Sequence, residues 1–235
     1  MTTADFIVLG AGMAGATAGY FLADTGRGIV LERESAPGYH STGRSAALYA
    51  ETYGNTAIRA LTVASGGFFR APPAAFADVP LLQRRGLMVI AQASDAARLA
   101  RDVAAGKRFV PTLRMLDDGE ARMLCPVLRD EWTGSAFLEP DAMDIDVHAI
   151  HQGFLRGLKA KGGGIVTDAA AQAIAARDGG WQVETRAGRF TAPVLVNAAG
   201  AWADEVARLA GLPPIGLVAR RRTALIVDVD PAPNA

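Results

Sequence analysis

The sequence is poor in cysteine, with Cys125 the single one in 235 residues. A lone cysteine forms no intramolecular disulfide and supplies no thiolate cage. The residues therefore point to no metal site, and to a reducing cytoplasm as the default compartment. An excess of charge is also missing: 24 Lys and Arg balance 24 Asp and Glu. Binding a phosphate backbone draws on a surplus of basic side chains on one face, so nucleic acid is excluded as a main partner. Membrane signals are scarce. The uncharged run from Phe6 to Ala23 reaches the ~18 residues of a minimal span. It is interrupted by Gly10, Gly12, Gly15 and Gly19, and it follows Asp5 with no Lys or Arg before it. A secretory leader would start basic, so no membrane span is expected.

Glycine is what the sequence has in excess: 26 of 235 residues, about 11% against an average near 7%. Spread without a period, this excess suits many tight turns rather than a fibre. Half the residues are hydrophobic and 20% are charged, a globular composition that argues against disorder. At roughly 100–200 residues per domain, the length suggests one large domain or two intertwined ones.

Residues 5–9, Asp-Phe-Ile-Val-Leu, form a continuous apolar run, as a strand buried on both faces of a parallel sheet requires. A glycine cluster, Gly10 to Gly15, follows at once. Ala16 to Ala23 is helix-compatible with a stop at Gly26, and Gly28 to Leu31 forms a second strand ending at Glu32. Further on, helical spacing covers Ala57–Phe69 and residues 95–106, and Leu87 to Ala91 reads as a strand. A helix is predicted from Asp146 to Lys161, ended by Gly162-Gly163-Gly164. A three-strand meander at about 165–190 turns at Asp178-Gly179-Gly180. Pro193 to Val196 reads as another buried strand, leading into Asn197-Ala198-Ala199-Gly200 and a helix Ala201–Ala210. One more strand is placed between Arg220 and Val229.

Gly10, Gly12 and Gly15 fit G-x-G-x-x-G. In that pattern the first glycine permits the tight turn, the second lets backbone approach a pyrophosphate, and the third allows close helix–strand packing. The helix that follows aims its positive end at phosphate. Glu32, at the end of the next strand, stands close to the ~20-residue spacing of a carboxylate that takes ribose hydroxyls. A nicotinamide enzyme usually continues with further strand–helix units; a meander before the next buried strand looks instead like the flavoprotein version of the fold.

Four segments then resemble the D-amino acid oxidase family of FAD enzymes, and most of all its D-arginine dehydrogenase branch. They are Gly10–Gly15, Glu32-Arg33-Glu34, the run from Pro37 through Tyr39-His40-Ser41-Thr42-Gly43-Arg44-Ser45-Ala46-Ala47, and Val196-Asn197-Ala198-Ala199-Gly200-Ala201-Trp202. The likeness extends from Asp5 to about Thr223. It implies an α/β fold: a Rossmann-type, glutathione-reductase-like FAD-binding domain with an interleaved, incomplete α+β substrate domain. The implied division is 1–80 and 143–212 for FAD, with 81–142 and 213–235 for substrate. The implied chemistry is oxidative deamination of a D-amino acid. Its Cα hydride passes to the flavin N5, and the imine hydrolyses to a 2-oxo acid and ammonia.

The same resemblance assigns Gly10, Gly12, Ala14, Gly15 and Gly200 to the cofactor, with Glu32 and Arg33 at its adenosine end. Thr42, Ser45, Ala46 and Ala47 would line the pyrophosphate and ring end, and Ala171 would meet the adenine through its backbone. Arg222 matches an arginine that grips the substrate carboxylate, for which a planar fork is suited. By its own context, Arg220-Arg221-Arg222 reads as a solvated basic run. Tyr53 matches a tyrosine whose hydroxyl approaches the substrate, and isolated tyrosines are otherwise half-buried packing residues. The branch carries a histidine where Leu48 stands and a guanidinium-binding glutamate where Leu87 stands. Burying an unpaired guanidinium is costly, so an apolar D-amino acid is expected in place of D-arginine. Family members run longer than this chain, and the expectation is an N-terminal fragment of weak or absent activity alone. Two alternatives stay open: a related FAD oxidoreductase of another amine or a 2-hydroxy acid, and a non-catalytic FAD-binding fragment. The electron acceptor is not assigned.

Overall fold

A computed structural model describes residues 1–129, 134–221 and 223, and among them the chain divides into two compact units. The first comprises Met1–Ala46, Ala74–Val79 and Val147–Arg221. At its centre is a four-stranded parallel sheet in the order Gly164–Val166, Gly28–Leu31, Phe6–Leu9, Val194–Asn197. All four residues of Phe6–Leu9 and of Gly28–Leu31 are buried. The alternation explains why. Phe6, Val8 and Val30 point to one face, where they pack with Leu158 of the helix Val147–Ala160. Ile7, Leu9, Ile29 and Leu31 point to the other, where they meet Ile174, Val183, Phe190 and Ala192.

Those last four residues belong to the meander, the antiparallel strands Ala173–Arg177, Gly180–Thr185 and Gly188–Ala192. Asp178 and Gly179 join the first two with φ of 50° and 78°, the left-handed pair that a two-residue hairpin needs. On the opposite face the helix Met13–Leu22 lies against Val147–Ala160 through glycines. A Cβ on Gly157 would stand 2.3 Å from the Tyr20 ring, and one on Gly19 would stand 3.3 Å from Leu158. The result is helices, parallel sheet and meander as three stacked layers.

Four features of this unit differ from the sequence reading. Gly164–Val166 joins the parallel sheet beside Gly28–Leu31 rather than opening the meander. Val194–Asn197 is an edge strand among the described residues, and Val194 is 49% exposed rather than buried. An apolar tetrad looks the same whether one or both of its flanks are covered. The segment after Asn197 begins with a 3₁₀ turn, Gly200–Trp202, before the helix Ala203–Leu209. A short strand at Thr2–Thr3, which the sequence did not announce, pairs in parallel with Phe190 and Thr191. The strand placed between Arg220 and Val229 falls almost wholly outside the described residues, and Arg220 and Arg221 are exposed outside any strand.

The second unit comprises Ala47–Pro73 and Pro80–Asp146 among the described residues. One small sheet joins Leu48–Tyr49, Met143–Ile145 and Leu82–Arg84, and another joins Leu87–Gln92, Gly134–Glu139 and Arg114–Leu116. The helices are Thr56–Arg70, Ala96–Gly106 and Asp118–Leu124. Asn55 caps the first of these, its side chain accepting from the Ile58 amide at 3.0 Å. Asp117 and Glu120 form a reciprocal capping box on the third. Leu99, Val103, Val110, Leu113 and Phe137 make the core against the second sheet.

Candidate functional site

In the first unit, the C-terminal ends of Phe6–Leu9 and Gly28–Leu31 open into a cleft of about 300 Å³. Such an end, between strands of a parallel sheet, is where open α/β folds bind ligands. Its walls come from the turn at Gly10–Ala14, from Leu31–Arg33, from the loop Gly38–Thr42, and from Ala169–Ala171 and Ala198–Trp202.

Two glycines of the turn have no room for a side chain. Gly10 adopts φ of 100°, and a Cβ there would lie 2.6 Å from the Ala198 carbonyl oxygen. A Cβ on Gly15 would lie 1.8 Å from the Gly10 carbonyl oxygen, so the helix sits directly on the turn. Gly12 is different. Its backbone is extended, with φ of −74° and ψ of −172°, and a Cβ would meet only the Thr42 hydroxyl at 3.3 Å. Gly12 lines the cleft with bare main chain, beside a helix start whose first amides lack partners within the helix. One of those amides, that of Met13, donates to Thr42 Oγ1 at 2.9 Å. This bond ties the polar loop to the turn.

Ala11 is completely buried, and its peptide groups are held from both sides. Its N–H donates to Glu32 Oε2 at 2.7 Å, and its carbonyl accepts from His151 Nε2 at 2.8 Å. A carbonyl only accepts, so Nε2 of His151 carries the proton. Glu32 Oε1 accepts a second backbone bond, from the Glu34 amide at 2.9 Å. Each carboxylate oxygen keeps one lone-pair direction for a hydroxyl. At the rim, Trp202 is in contact with two cationic or ionisable groups: the Arg33 guanidinium 4.8 Å from its ring centroid and the His40 ring at 4.6 Å. Glu34 accepts from His40 Nε2 at 2.9 Å and pairs with Arg33 at 3.4 Å.

Of the residues singled out in the sequence, Gly10, Gly12, Ala14, Glu32, Arg33, Thr42, Ala171 and Gly200 line this cleft. Gly15 lies behind the turn. Ser45 and Ala46 belong to the same unit without lining the cleft, and Ala47 opens the second unit with φ of 55°. Leu48 and Tyr53 lie in the second unit, in an open groove of about 350 Å³ shared with Tyr49, Ile58, Leu61 and Phe69. Tyr53 is 63% exposed. Leu87 pairs across the second sheet with Glu139. Arg222 lies outside the described residues.

The sequence reading gave His151 no role. Its signal was available: the buried side of Val147–Ala160 carries Ile150, Phe154, Leu155 and Leu158, and His151 is the polar residue among them. In the second unit, Glu139 was also unforeseen. It is 1% exposed, accepts from the Glu51 amide at 2.9 Å, and accepts from the Thr52 hydroxyl. Glu51 in turn accepts from Tyr49 at 2.7 Å and from Arg70 at 3.1 Å. Burial, and then the bond to Glu51, push the Tyr49 phenol well above its ordinary range. The bond to Glu51 also raises the Arg70 guanidinium.

The sequence profile of the family described as FAD dependent oxidoreductase matches residues 5–235. The chain belongs to that family. Mitochondrial sarcosine dehydrogenase of Mus musculus is 25% identical over 97% of this chain and 26% of its own length. Among solved structures, a glycine oxidase from Geobacillus kaustophilus superposes with a TM-score of 0.78 at 21% identity, over 90% of this chain and 59% of that one. An L-alpha-glycerophosphate oxidase from Mycoplasma pneumoniae, solved with FAD bound, gives 0.78 at 17% identity, over 90% and 58%. The chain thus spans about a quarter of the mouse relative and under two thirds of these structures.

FAD is the cofactor of this family, and the cleft fits it on two counts. A dinucleotide needs a place where backbone stands bare for a pyrophosphate, and Gly12 leaves one. It also needs a carboxylate set at the strand end, and Glu32 stands there with acceptor capacity in hand. Among the described residues no group of His, Cys, Asp and Glu is placed to hold a metal ion. No described helix is long and apolar enough to cross a membrane.

Proposed function

We propose that the chain is the cofactor-binding portion of an FAD-dependent enzyme that oxidatively deaminates D-amino acids with apolar side chains. The observation that carries the cofactor part is the contrast among the three glycines: two are locked by contact with backbone, while Gly12 stands open on the cleft. In this reading the Gly12 and Ala14 amides take the pyrophosphate, Glu32 takes the ribose hydroxyls and Arg33 flanks the adenosine. Bound FAD supplies the two-electron acceptor. The substrate C–N bond loses two electrons and two protons, and water adds to the resulting imine to release ammonia and a 2-oxo acid.

The substrate part of the reading rests on Leu48 and Leu87, where the D-arginine branch places a histidine and a glutamate. Leu48 sits in a groove whose other walls include Tyr49, Ile58, Leu61 and Phe69, surfaces that favour an apolar side chain over a guanidinium. Arg222 remains the proposed partner of the substrate carboxylate, and Tyr53 the proposed hydroxyl beside it. A second reading, oxidation of a secondary amine, is favoured by the match to a sarcosine dehydrogenase over 97% of this chain.

One experiment separates these readings. The chain is loaded with FAD, mixed anaerobically with single substrates, and followed by flavin absorbance. Because the chain alone is expected to be weakly active, the proposal expects at most slow bleaching, faster with D-leucine, D-methionine or D-phenylalanine than with D-arginine. Bleaching by sarcosine alone supports the second reading, and D-arginine as the best substrate contradicts the apolar pocket. Bound flavin that no substrate bleaches favours a binding-only fragment.

A further inference from the structure

We infer that His151 is the positioning residue that aims the Gly12 amide into the cleft. The inference rests on the FAD reading above and concerns the peptide that joins Ala11 to Gly12. A peptide is planar and trans, so its C=O and N–H point in opposite directions. The Ala11 carbonyl is turned inward onto Nε2 of His151 at 2.8 Å. The N–H of Gly12 therefore points away from His151, and Gly12 is the residue that lines the cleft.

The need for such a residue follows from the glycine itself. Glycine tolerates backbone conformations on both sides of the φ map at little cost, so the property that leaves Gly12 bare also leaves this peptide free to flip. A flip would turn a carbonyl oxygen toward the phosphates in place of an N–H. Glu32 cannot prevent it, because its bond to the Ala11 N–H fixes the preceding peptide, between Gly10 and Ala11. His151 holds the one that matters. It is 3% exposed, so water does not substitute for its proton. Gly38 also leaves room for the imidazole: a Cβ there would stand 2.9 Å from Cε1. The ring is thus packed under the loop that forms the facing wall of the cleft.

The test compares the full chain with His151→Gln, His151→Asn and His151→Leu. FAD affinity is read by quenching of flavin fluorescence, and folding by thermal denaturation. A glutamine side chain delivers an N–H near the Nε2 position, whereas asparagine falls short of it. The expected result is near-wild-type affinity for His151→Gln and about tenfold weaker binding for His151→Asn and His151→Leu, which is ~1.4 kcal/mol. ADP, which shares the pyrophosphate, should weaken in parallel. Loss of affinity in His151→Gln equal to that in His151→Asn contradicts the inference, as does unchanged affinity in all three. Should His151→Leu fail to fold, the Gln–Asn comparison still decides. A wild-type chain that binds no FAD overturns the cofactor reading itself, whatever the variants do.

Discussion

The two units solve opposite problems with polar groups. In the first, the polar atoms that matter are main-chain atoms, exposed to the cleft because Gly12 carries no side chain, with the peptides on either side of Ala11 bonded to buried Glu32 and His151. In the second, a chain of side-chain bonds runs from buried Glu139 out to exposed Arg70: Glu139 on Thr52 and the Glu51 amide, Glu51 on Tyr49 and Arg70. The strands differ in the same sense. Phe6–Leu9 and Gly28–Leu31 are buried at every position, whereas Leu87–Gln92 is half-buried or exposed throughout. A rigid, doubly covered sheet suits a task that needs backbone atoms held in place. The second unit adds to its apolar core a polar network reaching between segments.

The comparison breaks most visibly at Gly15. Gly15→Ala places a Cβ 1.8 Å from the Gly10 carbonyl oxygen, and backbone cannot swing aside as a long side chain can. Overpacking typically costs about 1–3 kcal/mol and occasionally more, and a clash with backbone falls at the upper end, so chemical denaturation should show a large loss of stability together with loss of FAD retention. A variant as stable as the wild type would mean that helix and turn are not in the contact described.

The next effect belongs to the second unit. Glu139→Ala leaves the Glu51 amide without its acceptor, at a cost of about 2–3 kcal/mol, readable as a lower denaturation midpoint. Because every residue lining the cleft lies in the first unit, FAD affinity should stay within about twofold, ~0.4 kcal/mol. A matching fall in affinity would erase the distinction between the units.

These contrasts also explain what the sequence made legible. The strand, glycine turn, helix and second strand are adjacent in the chain, and each is fixed by local sterics and an apolar run, so Phe6 to Glu32 could be read directly. Pairings across long separations could not. Thr2 meets Phe190, Glu139 reaches back to Glu51, and His151 reaches Ala11 from 140 residues away. No local pattern distinguishes Val194–Asn197 at an edge, as it stands among the described residues, from the same residues in a centre. At His151 only a polar residue within an apolar helix face gave notice. Ser45, Ala46 and Ala47 were named from likeness to other sequences, and no local pattern in the chain marks them.

The smallest expected effect is a dependence on pH. The Tyr49 phenol is raised from its ordinary value of 10.0, chiefly by burial and then by its bond to Glu51. Above that value the unfolded chain releases the proton while the folded chain keeps it, so stability is full below pH 10 and falls as the pH rises further. The slope contributed by one such group is at most about 1.4 kcal/mol per pH unit. Tyr49→Phe should remove that increment from denaturation curves recorded above pH 10. An unchanged slope would place the hydroxyl in water rather than on Glu51.

Titration of the purified chain with FAD measures directly whether bare main chain at Gly12 receives the pyrophosphate. Gly12→Val serves as the comparison, since the one atom a Cβ there meets is Thr42 Oγ1, at 3.3 Å, a side-chain oxygen that has to give by only a few tenths of an ångström. Saturable binding of one FAD per wild-type chain is predicted, with binding at least about thirtyfold weaker in Gly12→Val, ~2 kcal/mol, and little change in melting temperature without FAD. Failure of the wild-type chain to retain FAD, or equal affinity in the two proteins, would contradict it.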